Sequence, residues 1–244
     1  MKVIIKENYD ELSKEAAKMV EKQLRGKKNS VLGLATGATP LGTYKELVRL
    51  FKDEDLSFKD VSSFNLDEYI GLDENNENSY RYFMSENLFK LIDIKKENTY
   101  VPNGMANNPI EAGMEYDRTI LENGGIDLQI LGIGSNGHIA FNEPAKSLSL
   151  GTTLVRLAKA TIQDNARFFD NIKDVPTEAI TMGIGSIMRA RKIILLASGK
   201  NKADIIGKLL NSPSITTNIP ASLLLLHPNV TIICDKDAYS RVNK

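Results

Sequence analysis

Apolar positions in this chain follow two rhythms. Short, nearly continuous apolar runs predict buried strands at Val3 to Ile5, Val31-Leu-Gly-Leu34, Ile126 to Leu131, Ala179 to Gly183, Lys192 to Ala197 and Val230-Thr-Ile-Ile-Cys234. Val61-Ser-Ser-Phe-Asn-Leu66 alternates instead and also reads as a strand. Between the runs lie stretches with helical spacing. From Asp10 to Leu24, Leu12, Ala16, Met19, Val20 and Leu24 form one apolar stripe, stopped by Gly26 and Asn29. Further helices are predicted from Thr39 and Pro40 to about Phe51, at Ser79 to Leu91 with Tyr82, Phe83, Leu88 and Leu91 inward, at Pro109 to Asn123 before Gly124-Gly125, and from Ser198 to about Leu210. Ile187 to Arg191 reads as a short helical turn, and Ala221 to Leu226 fits a short helix or a strand equally well. Asp53 to Asp60, Gly71 to Asn78 and Asn98 to Asn108 read as loops, and Lys146 to Leu157 is rich in Ser and Thr without periodicity. This alternation predicts an α/β fold: a doubly wound, mostly parallel, Rossmann-like sheet with helices on both faces. No internal repeat, low-complexity tract or linker divides the chain, so residues 1–244 are expected to form one domain.

Composition narrows the function classes. Lys plus Arg (31) equals Asp plus Glu (31), so no basic excess points to nucleic acid or an anionic membrane. Any anionic substrate must be met by local groups. The single cysteine, Cys234, excludes an intrachain disulfide or a cysteine metal cluster, and reads as a buried strand thiol. No apolar run approaches the roughly 18 residues of a membrane span. The N-terminal apolar segment is too short for a signal peptide, so the expectation is a soluble cytoplasmic protein.

Candidate chemistry collects just past strands, where a parallel sheet opens its ligand crevice. After Val31 to Leu34 comes Ala35-Thr-Gly-Ala-Thr-Pro40, a strand, small polar loop and helix N-terminus. Its backbone N–H groups, with the hydroxyls of Thr36 and Thr39, make a candidate anion site, with an ordinary turn and helix cap as the alternative. No Gly-Lys-Ser/Thr follows, which argues against a nucleotide triphosphate. Asp67 and Glu68 follow Leu66 as a candidate base and a candidate partner, with a solvated acidic turn as the alternative. Leu131-Gly-Ile-Gly-Ser-Asn136-Gly137-His138-Ile-Ala-Phe-Asn-Glu143-Pro carries one of the two histidines. His138 can exchange a proton near neutral pH, and Glu143 is close enough along a looped backbone to fix its tautomer. Gly132, Gly134 and Gly137 also match the dinucleotide-binding spacing. That motif needs a helix opening at the loop and an acid about 20 residues on, whereas here His-Ile-Ala-Phe-Asn-Glu-Pro follows and Thr152 to Arg156 hold no acid. Arg167, within Arg167-Phe-Phe-Asp170, has the planar fork that suits a phosphate, and about 157–177 is a candidate helical lid, with a surface arginine beside a Phe-Phe core anchor as the alternative. Lys202 sits in the first turn after Ser198-Gly199, an unfavourable place for a lysine that points to an anionic ligand, with a solvated lysine as the alternative. His227, before Pro228, reads as structural.

Asn136-Gly-His138-Ile-Ala-Phe-Asn-Glu143-Pro and Phe64-Asn-Leu-Asp67-Glu-Tyr-Ile-Gly-Leu72 together resemble the signatures of the glucosamine-6-phosphate deaminases, over nearly the whole chain. The related 6-phosphogluconolactonases carry a similar Gly-His loop, but with Thr-Ala and a Leu-Phe-Pro ending, and Asp-Glu-Arg in place of Asp67-Glu-Tyr69. The resemblance implies hydrolytic deamination coupled to aldose-ketose isomerisation in amino-sugar catabolism and N-acetylglucosamine degradation: glucosamine 6-phosphate and water give fructose 6-phosphate and ammonia. It implies Asp67 as the base at C2, and His138 with Glu143 and Asn136 for ring opening. Thr36, Gly37, Ala38, Thr39, Gly137, Arg167 and Lys202 are implied to hold the sugar phosphate. Neither metal nor organic cofactor is required, and the implied partner is a small amino sugar phosphate. Some members have Asp where this chain has Asn136, which leaves Glu143 as the only charged partner of His138 in the loop. The basic residues that allosteric hexameric members carry beyond Asn-Glu-Pro are not evident; Thr153 and Val155 stand there. Activation by N-acetylglucosamine 6-phosphate and a hexamer are therefore not expected, while self-association of another kind stays open. The alternatives are a lactonase acting on 6-phosphogluconolactone and a sugar-phosphate sensor without turnover.

Overall fold

In the computed structural model, which describes residues 1–166, 169–211 and 213–243, the apolar runs assemble into one parallel sheet. Its strands are β1 (Lys2–Lys6), β2 (Val31–Leu34), β3 (Ser62–Asn65), β5 (Thr99–Tyr100), β6 (Leu128–Gly132), β9 (Ile193–Ala197) and β10 (Val230–Asp235). They lie in the order β1-β10-β9-β6-β2-β3-β5, every pair parallel. Strands β2, β9 and β10 are buried at every residue, as a sheet covered on both faces demands. The edge strand β1 instead leaves Val3 and Ile5 partly exposed between Lys2 and Lys6, charges that discourage further pairing.

Helices cover both faces. On one side pack α1 (Tyr9–Gly26), α2 (Ala38–Asp53) and α3 (Tyr80–Asn87), through Leu12, Ala16, Val20, Tyr44, Leu47 and Met84. On the other pack α4 (Pro109–Glu122), α6 (Ile184–Met188), α7 (Ala203–Asn211) and α8 (Lys236–Tyr239), through Tyr116, Ile120, Ile187, Ile206 and Ala238. Each buried Leu or Ile of these stripes contributes about 1.5–3 kcal/mol relative to exposure. The doubly wound architecture is thus as the sequence predicts. Ala221 to Leu226 resolves into a 3₁₀ helix, Pro220–Leu226.

A second, antiparallel sheet departs from the expectation. Strand β4 (Asp67–Tyr69) pairs with β8 (Glu178–Thr181), and β8 with β7 (Thr153–Arg156). The chain peels away after Asn65, so the strand anticipated through Leu66 splits between two sheets. The Ser- and Thr-rich stretch contributes β7, whose half-exposed pattern gives no apolar run to recognise. Around this sheet Tyr69, Phe141, Leu157 and Ala179 form a small third core.

The main sheet also sets where a ligand can enter. From β2 the chain steps through β3 to β5 toward one edge, and from β6 through β9 to β10 toward the other. The crevice beyond the carboxyl ends of β2 and β6 is the switch point, where open α/β sheets bind ligands.

Candidate active site

Four loops meet at that crevice, and side chains lock them together. Asn65 Nδ2, at the end of β3, donates to Leu34 O at 3.0 Å, fixing the start of β4 beside the loop after β2. Tyr116 on α4 donates to Asn65 O at 2.8 Å from below. Tyr44, fully buried on α2, donates to Ala35 O and holds the loop after β2 against its own helix. Between these loops lies a cavity of about 190 Å³, lined among others by Thr36, Gly37, Ala38, Thr39, Asp67, His138 and Lys202.

The anion cradle differs from the expectation in one respect. Helix α2 begins at Ala38, not after a Thr39 cap, because Gly37 at φ +93° turns the chain from strand to helix two residues early. Gly37 offers no side-chain cap, so the first N–H groups of the helix face the cavity without a side-chain cap among the described residues.

Asp67 is the first residue of β4, and successive side chains on a strand point to opposite faces. Asp67 lines the cavity while Glu68 turns to α3. There its carboxylate accepts the N–H groups of Tyr69, Tyr80 and Arg81 at 2.8, 2.9 and 2.9 Å. Glu68 thus anchors the first turn of α3 and is not a partner in the cavity. That anchoring delivers Tyr80 to the cavity wall, where its hydroxyl donates to the Tyr69 hydroxyl at 3.2 Å. Asp67 is only 6 % exposed. Burial, reinforced by the nearby Glu68 charge, pushes its carboxyl up to about 8. Burial likewise pushes Glu68 up to about 7 despite its three N–H donors. An aspartate is ionised at neutral pH unless it is strongly buried, and Asp67 is strongly buried.

The loop after β6 builds the second half of the site. Gly134 is required because a Cβ there would stand 2.3 Å from the His138 ring, which lies across the loop backbone. Ala140 adopts φ +51°, a left-handed conformation that costs a non-glycine residue about 1 kcal/mol, and it lines the cavity. Beside the imidazole, Asn136 Oδ1 accepts the backbone N–H of His138 at 3.1 Å and Asn136 Nδ2 donates to Glu143 Oε2 at 2.7 Å. Glu143 Oε1 lies 3.4 Å from His138 Nδ1, an ion-pair distance without the alignment of a hydrogen bond. Burial pushes the Glu143 carboxyl up. The contact with His138 and the donors Thr161 and Asn136 outweigh it and hold the group below its usual value.

The structure therefore brings Thr36, Gly37, Ala38, Thr39, Asp67, His138 and Lys202 to one cavity, and sets Asn136 and Glu143 behind His138. Gly137 is turned away: its φ is +90°, and a Cβ there would meet Ile219 and Ile205. Arg167 lies outside the described residues. Two wall residues were not anticipated. Tyr80 carries a weak signal, an aromatic directly after the Ser79 cap. Thr161, from α5 (Lys159–Asn165), lies in the segment that reads as a lid, but nothing in the sequence distinguishes it from its neighbours there. No cluster of three His, Cys, Asp or Glu suited to a metal occurs among the described residues, and no described helix is long and apolar enough to cross a membrane.

The sequence and the fold resemble those of known proteins. The family model for glucosamine-6-phosphate isomerases and 6-phosphogluconolactonases matches residues 6–233. A glucosamine-6-phosphate deaminase of Thermoanaerobacter pseudethanolicus is 54 % identical over 99 % of this chain and 95 % of its own. A deaminase of Clostridium perfringens is 53 % identical over 98 % of each. A solved monomeric glucosamine-6-phosphate deaminase superposes with a TM-score of 0.95 at 44 % identity, covering 99 % of this chain and 100 % of that one. A 6-phosphogluconolactonase of Trypanosoma cruzi shares the fold at a TM-score of 0.77 and 20 % identity, covering 100 % of this chain and 97 % of that one.

Proposed function

The chain belongs to the family of glucosamine-6-phosphate isomerases and 6-phosphogluconolactonases, and we propose on that premise that it is an enzyme converting glucosamine 6-phosphate and water to fructose 6-phosphate and ammonia. The observation that carries the assignment to this site is the convergence of Asp67, His138 and the Thr36 turn on one cavity. The terminal phosphate sits on the α2 N-terminus, with Lys202 opposite, and this grip aligns the reacting carbons. His138 moves a proton between the anomeric hydroxyl and the ring oxygen to open the sugar, with Glu143 and Asn136 holding its orientation. Asp67 then takes the C2 proton, giving an enolamine, and returns it to C1. The product imine adds water and releases ammonia.

Asp67's high proton affinity suits the task. A carboxylate raised to about 8 is a stronger base than an ordinary aspartate. A protonated substrate amine beside it supplies the opposite charge that favours its ionised form on binding.

Residues 157–177 are read as a cover over the site and 1–244 as one domain. Two features support the cover: Thr161 lines the cavity, and Phe169 packs edge-on to Tyr69 at 6.0 Å beneath it. The reaction places the protein in carbohydrate metabolism, with a small sugar phosphate as its partner. Incubation with glucosamine 6-phosphate, following ammonium and fructose 6-phosphate together, tests the reading. Equimolar appearance of both supports it. Hydrolysis of 6-phosphogluconolactone without ammonia release from the amino sugar selects the lactonase, and ligand binding without turnover selects the sensor.

A further inference from the structure

We propose that Thr161 is a positioning residue for ring opening, its hydroxyl holding the Glu143 carboxylate so that Oε1 faces His138. The inference rests on the deaminase reading above. Glu143 is gripped at both oxygens: Asn136 Nδ2 donates to Oε2 at 2.7 Å, and Thr161 Oγ1 donates to Oε1. With Asn136 alone, the carboxylate is held by one hydrogen bond and swings about it. Two donors on two oxygens fix its plane, and that plane sets the 3.4 Å approach of Oε1 to the imidazole Nδ1.

The two grips differ in origin. Asn136 belongs to the same loop as His138 and travels with it, whereas Thr161 comes from α5, 18 residues beyond Glu143. Thr161 is 4 % exposed and lines the cavity, so its hydroxyl is kept from water by the same walls that surround the sugar. The seat of α5 is therefore read directly by the catalytic loop. With α5 in place, Oε1 is presented to His138; with it displaced, the carboxylate loses its second anchor. The other titratable groups facing the imidazole across the cavity are Asp67 from β4, Tyr80 from α3 and Lys202 from the turn before α7. Neither Asp67 nor Tyr80 is hydrogen-bonded to Glu143.

Thr161→Val removes the hydroxyl at constant shape, and Thr161→Ser keeps it. A hydrogen bond to a charged group, lost only from ring opening, lowers kcat roughly 10- to 100-fold. KM for glucosamine 6-phosphate stays within about 2-fold, since phosphate and amine contacts are untouched. Binding of the acyclic probe 2-amino-2-deoxyglucitol 6-phosphate, which has no ring to open, is unchanged in Thr161→Val, and Thr161→Ser restores kcat. Wild-type turnover by Thr161→Val overturns the proposal. So does a loss of probe affinity in Thr161→Val alongside no rescue by Ser, which makes the residue a packing element. A wild-type chain that releases no ammonia overturns the deaminase reading itself, and this inference with it.

Discussion

Asp67 and Glu143 are both acidic side chains within reach of one cavity, and their surroundings drive them in opposite directions. Asp67 stands at the mouth of a strand, walled by Leu66 and Tyr80. It is buried with a second carboxylate next door, and it binds its proton up to about pH 8. Glu143 sits behind His138 with an amide, a hydroxyl and an imidazole turned toward it, and it is held below the usual carboxylate range. A base that must take a carbon-bound proton gains from the first environment; a group that must stay charged to orient a histidine needs the second. One residue chemistry thus serves two roles, divided by what each carboxylate is packed against.

The widest separation of the two roles is kinetic. Asp67→Asn removes the base and should lower kcat by roughly 10²–10⁴-fold, measured as ammonium release. Glu143→Gln keeps the shape but removes the charge that orients His138, and should lower kcat by roughly 10- to 100-fold. A loss in Glu143→Gln as large as that in Asp67→Asn would collapse the distinction.

The pH dependence sharpens it. kcat/KM reports the free enzyme, in which Asp67 must be ionised to act. Its acid limb should therefore fall as pH drops below about 8, and this limb should vanish from the residual activity of Asp67→Asn. A wild-type profile flat from pH 6 to 8 would contradict the buried, proton-retaining Asp67.

Stability gives the smallest effect, with opposite signs at the two positions. Asp67 binds its proton more tightly folded than unfolded, where its value is about 3.9. Between those values the folded state holds more protons, so stability falls as pH rises toward 8. Asp67→Asn relieves this, and should raise Tm at pH 7.5 by about 2–6 °C, on the order of 1–2 kcal/mol. Glu143 is shifted the other way: its stabilisation is present above the unfolded value and is lost as pH falls through the lower folded one. Glu143→Gln should lower Tm at pH 7.5, and calorimetry of the two variants side by side checks both signs.

Much of this was legible before any coordinates. The stripe Leu12, Ala16, Val20 and Leu24 is buried as its spacing demands, and the runs ending at Leu34, Leu131, Ala197 and Cys234 all lie in the parallel sheet. Asp67, His138 and the Thr36 turn were identifiable because each follows a strand that such a sheet directs toward one edge. Strand β7 was not, since Thr153 to Arg156 is half-exposed and takes its order from pairing with β8. The division of Asp67 from Glu68 was not either. Adjacent carboxylates look alike in sequence, and only the pairing of β4 and the arrival of α3 send one to the cavity and the other to a helix terminus.

The sequence by itself determined the layers, the doubly wound class and the residue types available at the switch point, because hydrophobic period and turn chemistry are local properties. Tertiary structure alone decided how strongly each carboxylate holds its proton, which residue caps which helix, and that Thr161 meets Glu143. Those outcomes depend on desolvation and on hydrogen-bond partners brought from distant parts of the chain, and neither quantity exists until the chain has folded around them.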